Sequence, residues 1–288
     1  MQTVPFVPGL ATLAARFDGL ICDVWGVLHN GVIGYAAAGE ALARYRAETG
    51  NKVVLLTNAP RPAAEIEVIL DRYKIPRSAY DAIVTSGDVC RTLLAEGGAK
   101  RAYHLGPDRD LPLFAGLDLT LVSEDEAEIV VCTGLFDDET ETPEDYRASL
   151  SRMLARDVTF ICANPDIVVE RGDRLIYCAG AIAQLYAEMG GRVMIVGKPH
   201  APVYEVAIGT LNRLSGRSIP KERILAIGDA LPTDVKGAFG QGIGVLMVTA
   251  GIHAADFGPA DAPDPALVAK RLAIEGVAVT AALPRLVW

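Results

Sequence analysis

Hydrophobic residues make up 51% of the 288 positions, yet no run of about 20 apolar residues is free of charged and turn-forming residues. A membrane-spanning helix is therefore not expected, and the apolar residues are left to build a sizeable core. Basic residues are also short: 27 Lys and Arg stand against 36 Asp and Glu, giving a net charge of −9 and a pI near 5.0. Nonspecific binding to nucleic acid or to an anionic membrane needs a basic face, so both are excluded as expectations. An anionic substrate would need local cations to overcome the global field. Paired cysteines are missing as well. Cys22, Cys90, Cys132, Cys162 and Cys178 are odd in number and no two have C-x-x-C spacing, which reads as buried cytosolic thiols rather than a disulfide framework or a zinc site. Met1-Gln2-Thr3-Val4-Pro5 has no basic n-region or signal-peptide pattern, so a cytoplasmic protein is expected. Internal repeats and low-complexity tracts are absent, and the length suggests about two domains.

What is present is a pair of apolar runs that each end abruptly in an aspartate: Leu20-Ile21-Cys22-Asp23-Val24-Trp25-Gly26-Val27-Leu28 and Ile227-Gly228-Asp229-Ala230-Leu231-Pro232-Thr233-Asp234. Such a pattern puts a carboxylate at the C-terminal lip of a buried strand, where open α/β sheets bind ligands.

The flanking sequence supports that placement. Strand signals at Gly19–Val24, Lys52–Thr57 and Ala82–Thr85 alternate with helical periods at Gly39–Glu48 and Ala63–Tyr73. The last third repeats this with strands at Val193–Val196, Ile224–Ile227 and Gly244–Val248 and helices at Pro202–Leu214 and Thr233–Phe239, the latter capped by Thr233. The alternation predicts an α/β fold with a parallel sheet and crossover helices. The middle has its own strand signals (Arg101–Leu105, Leu117–Leu121, Ile129–Cys132, Thr159–Cys162) and helix signals (Glu144–Ala155, Ala179–Met189). Residues 87–191 therefore read as a second α/β domain inserted into a core made of 1–86 and 192–288, with hinges at Ser86-Gly87-Asp88 and Gly190-Gly191-Arg192. Asp256–Pro265 reads as a surface loop.

Each chemical candidate has a plainer account beside it. Asp23 can attack phosphorus as a nucleophile or simply form an Asx turn. Thr57 and Asn58, at the end of a strand, can hold phosphoryl oxygens or cap a helix. Lys198, in Val196-Gly197-Lys198-Pro199-His200, can offset phosphate charge or be merely solvated. Asp229 and Asp234 can hold magnesium, which prefers oxygen ligands, although Asp234 would also favour the first turn of a helix. Taken together, nucleophile, Thr-Asn, lysine and Gly-Asp pair occur in order, each at a strand end or helix start.

These pieces resemble the haloacid dehalogenase-like superfamily of aspartate-nucleophile hydrolases, and most of all its class IIA, NagD-like branch. The resemblance rests on Asp23-x-x-Gly26-Val27-Leu28, Leu56-Thr57-Asn58, Gly197-Lys198-Pro199, Gly228-Asp229-x-x-x-Thr233-Asp234, Ala163-Asn164-Pro165-Asp166 and Val248-Thr249-Ala250-Gly251-Ile252. It implies a Rossmann-like core and a mobile α/β cap inserted between the Thr57 and Lys198 motifs. It implies Mg2+ held by Asp23, the backbone carbonyl of Trp25 and Asp229, with Asp234 steadying that shell. Thr57 and Lys198 would hold the phosphoryl group and the nucleophile, and the cap segment around Asn164 and Asp166 would help choose the substrate, a small phosphorylated metabolite. A homodimer involving the cap is also admitted.

One residue departs from the pattern. Most phosphatases of this family carry, two residues after the nucleophile, an aspartate that protonates the leaving oxygen and then activates water. Trp25 stands there, and an indole N–H only donates. A general acid–base is worth about 10²–10⁴ in rate, so slow or narrow turnover is expected unless His29, Glu170, His200 or another group supplies the proton. A carbon–halogen hydrolase and a non-catalytic descendant that binds a phosphometabolite or a protein partner are the alternatives.

Overall fold

A computed structural model describes residues 4–288; Met1, Gln2 and Thr3 of the N-terminal stretch lie outside the described residues. The described strands are, in chain order, β1 (Gly19–Cys22), β2 (Lys52–Thr57), β3 (Ala82–Thr85), β4 (Arg101–Leu105), β5 (Thr120–Leu121), β6 (Ile129–Cys132), β7 (Thr159–Cys162), β8 (Val168–Arg171), β9 (Arg174–Tyr177), β10 (Val193–Ile195), β11 (Ile224–Gly228), β12 (Gly244–Val248) and β13 (Ala281–Leu283).

Six strands form a parallel sheet in the order β13-β12-β11-β1-β2-β3. β1 and β11 are buried along their whole length, which explains their near-continuous apolar sequence: a parallel sheet is covered on both faces. Alternate residues feed two cores. Leu20, Cys22, Val53 and Leu55 pack on one face, while Ile21, Val54, Leu56 and Ala226 pack on the other. Truncating a fully buried leucine of this kind typically costs about 2–5 kcal/mol.

The order runs outward from β1 in both directions, β2-β3 one way and β11-β12-β13 the other. The switch point between β1 and β11 opens a crevice at their C-terminal ends, and the register Cys22↔Ile227 brings the residues that follow both strands together.

A second parallel sheet has the order β10-β7-β6-β4-β5, also with a core on each face. Here the structure corrects the expectation. Val193–Ile195 pairs with β7 in this smaller sheet, so the chain returns to the larger one after β10 and not at Gly190-Gly191-Arg192. Periodicity identified a strand there but could not say which sheet it joins. At the other crossing, Ser86-Gly87-Asp88 is helical. It is the first turn of the helix Ser86–Glu96, capped by Thr85 Oγ1, which accepts from Asp88 N at 2.8 Å.

The two crossings lie side by side. Gly197 has φ +124°, and a Cβ there would fall 2.2 Å from Ser86 Oγ. Only glycine combines that backbone angle with so close an approach.

The antiparallel hairpin β8–β9 had no clear signal, because Val168–Tyr177 alternates weakly, with β8 half-buried and β9 mostly exposed. Thr233 does not cap a helix either. Leu231–Val235 forms a π-helical turn that leads into the helix Lys236–Gln241. Among the described residues no helix is long and apolar enough to cross a membrane.

Candidate active site

Asp23 follows β1, and its N–H donates to Ile227 O at 2.8 Å, extending the β1–β11 ladder by one residue. Asp229 follows β11. Both carboxylates therefore sit on neighbouring strand tips, and the π-helical turn after β11 adds Asp234. Ligand oxygens of the three lie within 4.8 Å of one another, and all three residues are buried. Lys198 Nζ reaches into the cluster, donating to Asp23 Oδ1 at 2.5 Å and to Asp234 Oδ1 at 2.6 Å. The remaining contacts fix the carboxylates in place. Asp229 Oδ2 accepts from Ile252 N at 2.9 Å, and Asp234 Oδ2 from Ala230 N at 3.1 Å. Gly26, with φ +82°, lets the loop after Asp23 close on Asp229; a Cβ there would lie 2.2 Å from Asp229 Oδ2.

The electrostatics follow from three carboxylates sharing one ammonium in a desolvated space. Burial, and after it repulsion by Asp234, pushes Asp23 well above the ordinary carboxylate range and Asp229 up to about 7. Burial opposes the charge on Lys198, but Asp23 and Asp234 outweigh it and hold the ammonium protonated. Surplus negative charge on clustered oxygens is what a hard divalent cation would offset, so this donor set fits one.

A cleft of about 40 Å³ lies over the cluster, lined among others by Thr57, Asn58, Asp166, Glu170 and Lys198. Beyond it a cavity of about 330 Å³ is lined by residues that follow β1 and β2 (Val24, Trp25, Ala59) and residues that follow β6 and β7 (Thr133, Gly134, Asn164, Asp166). The two parallel sheets thus present their C-terminal edges to one space.

Asn58 acts as a tie across this junction. Its Nδ2 donates to Asp166 Oδ1 at 2.9 Å, and its Oδ1 accepts from Lys198 N at 2.8 Å and from Ser86 Oγ at 3.3 Å. Its side chain is thus held by protein groups at both ends. Thr57 Oγ1 accepts from Ala59 N at 3.2 Å, which leaves its own proton to donate. Asn164 lines the larger cavity but not the small cleft; its Oδ1 accepts from Asp166 N at 3.2 Å.

Trp25 lines both spaces. Its Nε1 donates to Glu170 O, on β8, at 2.6 Å, so the indole is bonded to the hairpin of the second unit. It meets His29 edge-on at 5.0 Å, and His29 stacks on Tyr73 at 4.5 Å. The suggested proton donors fare differently. His200 is exposed at the start of the helix Ala201–Ser215 and lines neither space. Glu170 lines the cleft; burial raises its carboxyl and Arg285 draws it back. His29 is buried, and desolvation lowers it to about 4. Its Nδ1 accepts from Gly31 N at 3.1 Å, so the ring is a neutral imidazole with its proton on Nε2.

His29 gives a pH prediction. Unfolded imidazole binds a proton below about 6.5, and the folded one only below about 4, so its stabilising contribution is complete above the first value and lost as pH falls toward the second. The loss amounts to roughly 3 kcal/mol. His29→Asn keeps an acceptor for Gly31 N and does not titrate. In denaturant titrations at pH 7 and pH 4, wild type should lose about 3 kcal/mol more than the variant, and equal losses would contradict a neutral buried imidazole.

Residue spacing did not reveal the polar wall of the large cavity. Arg61 Nε donates to the buried Asp110 at 2.6 Å, tying the loop after β2 to the second unit. Arg109 and Arg171 converge on Asp138 at 2.5 and 2.8 Å. Only the nearness of Arg61 to Thr57-Asn58 offered a signal; the other pairs join residues remote in sequence.

Comparisons with known proteins agree with this geometry. The model of the haloacid dehalogenase-like hydrolases matches residues 20–120, and a HAD-hydrolase-like model matches 195–274. A crystal structure of a haloacid dehalogenase-like hydrolase from Brucella suis 1330 is 48% identical and superposes with a TM-score of 0.87, covering 98% of this chain and 100% of that one. Ribonucleotide monophosphatase NagD of Escherichia coli K12 is 27% identical over 246 residues, which is 82% of this chain and 89% of that protein. Dihydroxyacetone phosphatase of Corynebacterium glutamicum (strain R) is 31% identical over 94 residues, 32% of each chain. The chain belongs to the haloacid dehalogenase-like hydrolases, in their class IIA, NagD-like branch.

Proposed function

We propose that this chain is a magnesium-dependent phosphatase acting on a small phosphorylated metabolite through an aspartyl-phosphate at Asp23. The observation that carries the reading is the convergence of Asp23, Lys198, Asp229 and Asp234 beneath a cleft that Thr57 also lines. The unit carrying β4–β10 serves as a cap over the larger sheet and meets it through Asn58–Asp166, Arg61–Asp110 and Trp25–Glu170.

In this reading the phosphoryl group occupies the small cleft and its leaving group the larger cavity. Lys198 fixes Asp23 Oδ1 and leaves Oδ2 to attack phosphorus. The same ammonium and the Thr57 hydroxyl stabilise charge that grows on the phosphoryl oxygens. Asp23, the Trp25 carbonyl and Asp229 would hold Mg2+, steadied by Asp234, and the ion would neutralise phosphoryl charge. The edge-on contact with His29 and the Glu170 bond hold Trp25 as a wall between cleft and cavity. The Asp229–Asp234 pair weighs against a carbon–halogen hydrolase, which has no use for a metal.

The test is phosphate release from a panel of sugar, nucleotide, polyol and aryl phosphates, measured with magnesium and after chelation. Turnover that falls at least about 100-fold on chelation and returns with added magnesium is expected. Undiminished turnover in the chelator would refute the metal assignment.

A further inference from the structure

Trp25 leaves the position of the expected proton donor without a titratable group. Given the phosphatase reading above, on which this rests, the leaving oxygen must lie where the phosphoryl cleft opens into the larger cavity. Four residues line both spaces: Trp25, Thr57, Asp166 and Val169. Of these only Asp166 exchanges a proton usefully, since a hydroxyl, an indole and an alkyl group do not titrate in the working range.

We propose that Asp166, delivered by the second unit, is the general acid–base of the reaction and stands in for the aspartate that Trp25 displaces. Asn58 Nδ2 occupies its Oδ1 at 2.9 Å, and among the described residues Oδ2 enters no hydrogen bond, so one oxygen is anchored and the other is free to carry the proton. Burial pushes the carboxyl above its ordinary value, against the pull of Lys198 and Asn58, and Asp234 adds to the rise. The other titratable groups near it are the Asp229 carboxyl and the thiols of Cys162 and Cys178, which burial keeps protonated and uncharged. Glu170, another raised carboxyl at the cleft, does not line the larger cavity where the leaving group sits. Asp110 and Asp138 are bound by arginines, and a neutral imidazole such as His29 is too weak an acid.

The step balances. Asp23 forms a bond to phosphorus as the P–O bond to the leaving group breaks, and the proton on Asp166 passes to the departing oxygen. Water then attacks the aspartyl-phosphate and gives its proton to Asp166 as the P–O bond to Asp23 breaks. Inorganic phosphate leaves, with Asp23 and Asp166 restored.

The test uses kcat/KM, which reports steps through leaving-group departure, for glycerol phosphate and for p-nitrophenyl phosphate. An alkoxide needs a proton to leave and a nitrophenolate does not. Asp166→Asn keeps the acceptor for Asn58. It should lower kcat/KM about 100-fold or more for glycerol phosphate and less than about tenfold for p-nitrophenyl phosphate. Adding Trp25→Asp should restore much of the glycerol phosphate loss. Equal losses on both substrates would overturn the assignment and leave a purely positioning role. Wild type that releases phosphate from neither would overturn the phosphatase reading along with it.

Discussion

Asp23→Asn should abolish turnover, by on the order of 10⁴-fold or more, while leaving the protein folded. The substitution changes one oxygen to an amide nitrogen at a position held by its own backbone N–H to Ile227 O and by its place after a fully buried strand. The amide is not nucleophilic, so no covalent intermediate can form. The fold should tolerate the change because the cluster carries surplus negative charge: removing one of three carboxylates relieves repulsion with Asp234 and Asp229. Steady-state assays with circular dichroism and melting temperature on the same preparation separate the two effects. A folded variant with more than about a hundredth of wild-type activity would remove Asp23 from the nucleophile role.

Lys198→Met should have the second largest effect, and it acts on stability as well as rate. Lys198 is the cation bonded to both Asp23 and Asp234, and it is almost completely buried. Removing one partner of a buried ion pair leaves uncompensated charge and typically costs about 3–5 kcal/mol. In the proposed mechanism catalysis also loses a donor to the phosphoryl oxygens, worth about 10²–10³ in kcat. The two losses respond differently to magnesium. An added divalent cation offsets the unpaired carboxylates, so magnesium should recover part of the lost stability and little of the rate. Denaturant midpoints with and without magnesium check this. A variant as stable as wild type without the metal would mean that the three carboxylates do not share their charge with Lys198.

The core was legible in the sequence because its physics is local. A fully buried parallel strand must read as an apolar run, so β1, β2 and β11 declared themselves, and the residues after β1 and β11 could be placed at a sheet edge. The glycine-flanked motifs were legible for the same reason: Gly26 and Gly197 stand where a Cβ would collide with Asp229 or Ser86. What escaped was set by contacts between distant segments. The assignment of β10 to the smaller sheet depends on β7, some thirty residues earlier. The hairpin β8–β9 is largely exposed or half-buried, so its sequence carries little alternation, yet it supplies the carbonyl that receives Trp25 Nε1. Asp166 was visible as part of Asn164-Pro165-Asp166, but only the three-dimensional arrangement puts it, like Trp25, in the lining of both cleft and cavity.

Trp25 therefore looks less like a lesion than a division of labour. In the proposed reading its indole closes the site against the hairpin, and the acid–base duty passes to Asp166 from the cap. Such an enzyme would be fully assembled only when cap and core meet, which makes Asn58–Asp166 and Arg61–Asp110 part of the catalytic geometry as well as of the fold.

The central claim is the covalent intermediate at Asp23, and acid-quenched single turnover with p-nitrophenyl phosphate tests it most directly. Peptide mapping of the quenched protein should find one phosphoryl group, labile to hydroxylamine, on the peptide containing Asp23, and none in Asp23→Asn. Phosphate release at the wild-type rate with no label on that peptide, or with the label elsewhere, would contradict the account.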